Sequence, residues 1–282
     1  MRIKVSNEIN LALRDNVLAL CRQAGDAILE VYNRSGDVAV ESKADDSPLT
    51  AADLAAHKVL VAGLEGLLVD TPVLSEEGEQ PEWDIRKTWN RYWIIDPLDG
   101  TKEFIKRSGE FTVNVALIDN GRPVLGVVFV PVLNVGYSGV HGVGAYRHGE
   151  NTEAAISVRK VQSRIDSGEP VALVASRSHG AEAVEVLMSR LENELGAKVE
   201  TTNMGSSLKL CLVAEGKADL YPRLAPTCEW DTAAAQAVVE AAGGEVWTDQ
   251  LDVMSYNGKE ELLNPHFYVV GDTSFQWREL LK

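Results

Sequence analysis

Residues 91–104, RYWIIDPLDGTKEF, run an apolar, β-prone stretch into two carboxylates, Asp96 and Asp99, separated by Pro97 and Leu98 and followed at once by Gly100. Pro97 fixes its own φ, and Gly100 admits backbone angles that other residues resist, so both carboxylates can turn to one side of a strand end. The Leu98 carbonyl, trapped between them, can point the same way. A hard cation such as Mg²⁺ selects this kind of set: one or two carboxylates, an oxygen dipole and water. The same five residues are also ordinary turn chemistry, x-P-x-D-G, with the acids solvated. Spacing alone leaves both readings open.

Other candidates carry the same ambiguity. Glu76 and Glu77 follow a short β-like run in PVLSEEG. Adjacent glutamates are usually solvated, and Ser75 followed by acids also suits a helix start. Asp231 stands in the first turn of the helix EWDTAAAQAVVEAAGG, where the dipole alone would favour an acid. Asp53 lies three residues after Thr50, nearly a capping box. In a functional reading, Asp53 and Thr101 share a water and remove its proton. Thr101 also opens a short helical segment whose N–H groups could face an anion. In NMGSSLKLCLVAEG, Gly205, Ser206 and Ser207 precede a helix carrying Lys209, and LYPR sets Arg223 at a strand end. Serine capping and solvated cations are the plain alternative for these. The five histidines, His57, His141, His148, His179 and His266, show no zinc spacing such as HExxH.

These residues need elements to hold them. Residues 8–32 and the run from Thr50 through AADLAAHKVLVAGLEGLL have helical apolar spacing. The β-like runs RYWIID, EFTVNVALID, PVLGVVFVPVL and NVGYSGV follow, joined by the turn signals DPLDG and NGRP. They predict an antiparallel or mixed sheet. After about residue 155, strand and helix alternate: VALVAS, AEAVEVLMSRLENEL, KVETTNM, SLKLCLVAEG, ADLYPRL and WDTAAAQAVVEAAGG. That is the α/β pattern. The expectation is an N-terminal α+β domain over 1–155 and a C-terminal α/β domain over 156–282, dividing within residues 149–170.

Composition narrows the function. The 282 residues are 45% hydrophobic and 24% charged, enough for a large core. A formal net charge of −15 argues against a nucleic-acid polymer as partner, which needs a basic surface. An anionic substrate would need bound cations or a focused Lys/Arg patch. Cys21, Cys211 and Cys228 lie far apart with no CxxC, the pattern of reduced thiols in a cytosolic protein. No apolar run reaches the ~18 residues of a membrane span, and MRIKVSNEINLALRDN lacks the apolar centre of a signal peptide.

Singly these signals are weak, but their order is specific. LTAAD (49–53), SEE (75–77), DPLDGT (96–101) and WDTAAA (230–235), at these distances, resemble the inositol monophosphatase superfamily, Li⁺-sensitive and Mg²⁺-dependent phosphatases. The likeness runs from the first helix to NPHFYVV. Three features, SKADDSPLTAADLAAH, TKEF after DPLDG, and GSSLKLCLVAEGKADLYPR, are similar to the bacterial 3'(2'),5'-bisphosphate nucleotidase branch. The resemblance implies a layered α-β-α-β-α sandwich with the site between two domains. It implies two or three Mg²⁺ ions held by Glu76, Asp96, the Leu98 carbonyl, Asp99 and Asp231, and a water positioned by Asp53 and Thr101. The same groups Glu76, Leu98, Asp99, Gly100, Thr101 and Asp231 would touch the substrate. Ser206, Lys209 and Arg223 would hold its nucleotide, with His179 reaching it too. The implied reaction removes the 3'-phosphate of adenosine 3',5'-bisphosphate, and 3'-phosphoadenylyl sulfate would be a second substrate. The alternatives are an inositol monophosphatase or sugar bisphosphatase of the same superfamily, or a silent nucleotide sensor. The branch implies a cytoplasmic enzyme with room for peripheral attachment to the inner membrane's cytoplasmic face, although the chain offers no basic amphipathic anchor.

Overall fold

The apolar stripe of residues 8–32 forms α1 (Leu11–Tyr32), begun by Asn10, whose side chain accepts the Leu13 amide at 3.0 Å. This is a computed structural model, and it describes residues 8–34, 40–42, 48–175 and 181–282. A short hairpin, β1 (Val40–Ser42) with β2 (Pro48–Thr50), leads into α2 (Ala51–Leu64). Then come β3 (Val73–Ser75), α3 (Trp83–Arg86), β4 (Arg91–Asp99), α4 (Thr101–Ile105), β5 (Thr112–Asp119), β6 (Arg122–Val130), β7 (Val135–Val140), β8 (Gly144–His148) and β9 (Glu153–Ile156). Strands β3 to β9 make a seven-stranded sheet in chain order; β3 pairs parallel with β4, and the other pairs are antiparallel.

The second half comprises α5 (Val161–Asp166), β10 (Val171–Ala175), α6 (Ala181–Leu195), β11 (Val199–Asn203), α7 (Leu208–Ala214), β12 (Leu220–Arg223), α8 (Glu229–Ala241), β13 (Glu245–Thr248), β14 (Phe267–Val270) and α9 (Trp277–Leu280). Its five strands are ordered β11-β10-β12-β14-β13. The β10 pairs are parallel, as strand–helix alternation requires, while β14 runs antiparallel to β12 and β13. The stretch 149–170, where the sequence places a domain division, holds β9 and α5, so the first sheet extends past the strands that turn signals made visible.

Period-two alternation builds the layers. In β4, Trp93 and Ile95 face α1 and α2 and pack with Val17, Ile28 and Leu60. Tyr92 and Ile94 face the other way, into a core with α7, α8 and the inner side of the five-stranded sheet. The outer side of that sheet buries Leu173, Leu191, Trp247 and Trp277 beneath α6 and α9. The result is the α-β-α-β-α sandwich that the resemblance implied. Helix α8 lies in the middle layer although it belongs to the second half. Gly126 and Gly139, cross-strand partners on β6 and β7, let its backbone press onto the first sheet, since a Cβ on either would collide with the Ala234 or Ala237 carbonyl. This close approach brings the start of α8 to the end of β4. No helix among the described residues is long and apolar enough to cross a membrane.

Candidate active site

The turn admitted by x-P-x-D-G does not form. Strand β4 continues to Asp99 with a register shift between Asp96 and Asp99, and Pro97, which has no N–H to donate, occupies that irregularity. Gly100 then adopts φ +94°, a left-handed angle that a Cβ would disfavour, and α4 starts at Thr101. The Leu98 N–H donates to Asp96 Oδ1 at 3.0 Å, which fixes the bulge. Asp231 arrives from the first turn of α8, where its Oδ2 also accepts the Cys228 N–H at 2.7 Å. One oxygen each from Asp96, Asp99 and Asp231 lies within 4.8 Å of the others. Glu76 follows β3, its N–H donating to Ile95 O at 3.2 Å, and its side chain approaches closely enough to hydrogen-bond Asp96. Glu76 and Glu77 lie in a turn after Ser75, not in the helix start that was their plain alternative.

Such crowding has an electrostatic signature. Burial pushes the Asp96 carboxyl well above the usual carboxylate range, and Glu76, Asp99 and Asp231 push it further. Asp99 is raised mainly by burial, against Lys209 and the Ser207 N–H, which pull it down. Burial and then Asp99 raise Asp231. Carboxylates this close cannot all ionise unless a cation joins them. The donors are hard oxygens only, so the set fits Mg²⁺ and offers nothing that favours a softer metal.

Asp53 bonds the cap of α2 with one oxygen and Thr101 with the other. Its Oδ2 accepts the Thr50 N–H at 2.8 Å and the Thr50 hydroxyl at 2.6 Å, completing the capping box of α2. Its Oδ1 accepts the Thr101 hydroxyl at 3.4 Å, and Thr101 Oγ1 is also 3.5 Å from Leu98 O.

A cleft of about 160 Å³ opens beside these acids; Asp99, Gly100, Ser206, Lys209, Arg223 and Asp231 all line it. Asp53, Glu76, Asp96, Leu98 and Thr101 lie next to that lining rather than in it. Lys209 is almost fully buried; its ammonium donates to Met204 O at 3.3 Å and Ser206 O at 2.7 Å, and it sits 5.5 Å from the Tyr221 ring centre. Burial, with Arg223 adding to it, lowers its pKa to about 8. Arg223 donates to Ala225 O at 3.2 Å and Pro226 O at 2.9 Å. These carbonyls take only part of the five guanidinium protons of Arg223 and of the three ammonium protons of Lys209, leaving both able to meet an anion. His179 lies outside the described residues. Of the other histidines, His57 and His148 bond serines, Ser75 at 2.8 Å and Ser138 at 2.7 Å.

Sequence reasoning missed Thr112 and Asn114, buried beside Asp99, and named the buried Ser207 only as a residue ahead of the helix carrying Lys209. One signal could have found the first two. Strand β5 is buried along its length, and Thr112 and Asn114 stand two apart on one face, so polar side chains there require a buried partner. Lys102, Glu103, Tyr221 and Phe267 also line the cleft, and sequence reasoning gave them no site role.

Against known proteins, the family model described as the inositol monophosphatase family matches residues 12–271. The 3'(2'),5'-bisphosphate nucleotidase CysQ of Escherichia coli (strain K12) is 52% identical over 256 residues, 90% of this chain and 98% of the relative. Its namesake in Haemophilus influenzae is 35% identical over 97% of this chain and 98% of its own. Among solved structures, CysQ from Bacteroides thetaiotaomicron, described as a bacterial member of the inositol monophosphatase family, superposes with a TM-score of 0.75 at 44% identity, covering 93% of this chain and 99% of its own. A fold with an acid cluster where two sheets meet through a shared helix layer is that of a small-molecule phosphatase. The chain belongs to the inositol monophosphatase family.

Proposed function

We propose that the chain is a Mg²⁺-dependent 3'(2'),5'-bisphosphate nucleotidase that hydrolyses adenosine 3',5'-bisphosphate to AMP and phosphate. The observation that carries this reading is the meeting of Asp96, Asp99 and Asp231 beside a cleft lined by Lys209 and Arg223. It stands in a chain 52% identical to a protein named as such a nucleotidase. Acids hold the reacting end, and cations stand where a second, unhydrolysed phosphate would lie.

Glu76, Asp96, the Leu98 carbonyl, Asp99 and Asp231 would hold the metal. Bound there, Mg²⁺ would neutralise carboxylate and phosphate charge and lower the pKa of water. The chain's own contribution is proton handling and orientation. With its hydroxyl hydrogen-bonded to Asp53 Oδ1, the Thr101 oxygen presents lone pairs to a water O–H. The water's proton then passes to Thr101 Oγ1 as Thr101 releases its own to Asp53, so the nucleophile is activated without a phosphoenzyme. Arg223 suits a two-pronged phosphate contact and Lys209 acts as a point charge. Binding energy from this remote group would orient the 3'-phosphate for attack.

In this reading 3'-phosphoadenylyl sulfate is a second substrate, and the physiological task is removal of a by-product of sulfate activation and assimilation. Phosphate release from adenosine 3',5'-bisphosphate and from inositol 1-phosphate, measured side by side in Mg²⁺, tests it. A higher kcat/KM on the nucleotide is expected. Preference for the inositol ester would overturn the nucleotidase reading and leave a family phosphatase of other specificity.

A further inference from the structure

Asp99 is held by groups to which sequence reasoning assigned no site role. Its Oδ2 accepts the Ser207 N–H at 2.6 Å and the Asn114 NH₂ at 3.4 Å, and Thr112 Oγ1 lies 3.4 Å from it. Ser207 Oγ donates to Asn114 Oδ1 at 2.8 Å and lies 2.8 Å from Thr112 Oγ1. Thr112, Asn114 and Ser207 are 0%, 1% and 2% exposed, so water does not satisfy them. The donors form one consistent set. Ser207 has a single hydroxyl proton, and it goes to Asn114 Oδ1. Asn114 must then turn its NH₂ toward Asp99, and Thr112 supplies its own proton to the Ser207 oxygen. The ring closes through the Ser207 backbone, which donates to the same Asp99 oxygen.

The ring also joins the two halves of the chain. Asn114 and Thr112 stand on β5 opposite Asp96 and Asp99. Ser207 comes from the other half and directly follows Ser206, which holds a left-handed φ of +47°. That loop has little freedom of its own: Glu110 Oε2 accepts the Gly205 N–H at 2.8 Å, and Lys209 holds the Met204 and Ser206 carbonyls. Any group that binds Ser206 therefore bears on the N–H fixed to Asp99.

We propose that Ser207, Asn114 and Thr112 are positioning residues that set the Asp99 carboxylate for its cation and couple it to the nucleotide loop, an inference that rests on the nucleotidase reading above. Groups that orient a metal-binding carboxylate typically change metal affinity by 10- to 100-fold when removed. A ring that merely tied the halves together would change stability and leave affinity alone.

The test is Mn²⁺ binding, by calorimetry and by the spin signal of free Mn²⁺, to the full chain and to Thr112→Val, Thr112→Ser and Ser207→Ala, each with and without AMP. Thr112→Val keeps the shape and loses the hydroxyl, whereas Thr112→Ser keeps the hydroxyl. We expect Mn²⁺ Kd to rise about tenfold or more in Thr112→Val and Ser207→Ala and to stay near the unmodified value in Thr112→Ser. AMP should tighten Mn²⁺ binding in the unmodified chain and in Thr112→Ser, and lose that effect in Thr112→Val. Unchanged Mn²⁺ affinity in Thr112→Val and Ser207→Ala, whatever their melting temperatures, overturns the positioning role. An AMP effect that survives intact in Thr112→Val overturns the coupling. Should Ser207→Ala fail to fold, the Thr112 pair decides alone. Because the titration needs no turnover, a chain that releases no phosphate from adenosine 3',5'-bisphosphate would sink the nucleotidase reading without touching this measurement.

Discussion

Asp53→Asn separates the two jobs of one carboxylate. Oδ2 takes two donors, the N–H and hydroxyl of Thr50, and Oδ1 takes the Thr101 hydroxyl. An asparagine has one acceptor and one donor end, so it can satisfy one side only. Two donors outweigh one, and the amide oxygen should turn to Thr50. The helix cap is then kept at a cost below the ~1 kcal/mol of losing it, no more than about 2–4 °C in Tm for a chain of this size. The NH₂ now points at Thr101, reversing that hydrogen bond, and no carboxylate remains to take the water's proton. Losing such a group costs about 10²- to 10⁴-fold, or roughly 2.7–5.5 kcal/mol of barrier at ~1.36 kcal/mol per decade. Phosphate release at saturating Mg²⁺ and a melting curve on the same sample give both numbers. The mirror experiment is Thr50→Ala, which removes the hydroxyl that bonds Asp53 and accepts the Ala52 N–H at 3.2 Å. It should lower Tm and spare kcat. Asp53→Asn that melts early yet turns over normally would refute the catalytic half, and the capping box would be the whole role of Asp53.

Asp99→Asn should abolish most turnover at saturating Mg²⁺ while the metal-free fold gains stability, because a crowded charge disappears; near-normal activity would remove Asp99 from the site. Stability without metal should fall as pH rises. Burial raises the Asp231 pKa from 3.8 to about 8, so across that window the folded chain holds more protons than the unfolded one, and the slope of unfolding free energy with pH is negative. Mg²⁺ should flatten the slope, and a metal-free Tm that rises between pH 5 and 8 would count against the cluster. Arg223→Ala should lower kcat/KM for adenosine 3',5'-bisphosphate and hardly touch a small monophosphate. Lys209→Ala should impair both substrates, since Lys209 also holds the loop whose N–H fixes Asp99; equal losses in the two variants would mean that Arg223 serves the fold. Ca²⁺ should compete with Mg²⁺ without supporting turnover, since it accepts the same oxygens in looser geometry.

The elements that the sequence made legible are those whose pattern is local. The α1 and α2 stripes, the alternation of β4 and β5, and the strand–helix alternation after residue 170 each fall within one window of chain. Strands β8, β9, β13 and β14 were not legible. They are four or five residues long and owe their existence to neighbours across the sheet: β14 pairs with β12 and β13 by antiparallel ladders that no periodicity encodes. The place of α8 in the middle layer was hidden for the same reason. It depends on Gly126 and Gly139 meeting Ala234 and Ala237 across about a hundred residues.

The site divides along similar lines. Acids whose spacing constrains the backbone could be read, because Pro97 and Gly100 make the bulge and the left-handed step that aim Asp96 and Asp99. Residues that act by meeting another half of the chain could not. Ser207 looks like one more serine at a helix start, and its hydroxyl matters only once β5 supplies Asn114 and Thr112. Lys209 reads as a solvated cation, yet it is buried and bonded to two carbonyls. Asp53 is the instructive case, because spacing could not choose between capping box and catalysis. In the structure each carboxylate oxygen has its own partner, one bonded to the cap and the other to Thr101. Capping and proton transfer therefore do not compete for one atom, which is why Asp53→Asn and Thr50→Ala can test them separately.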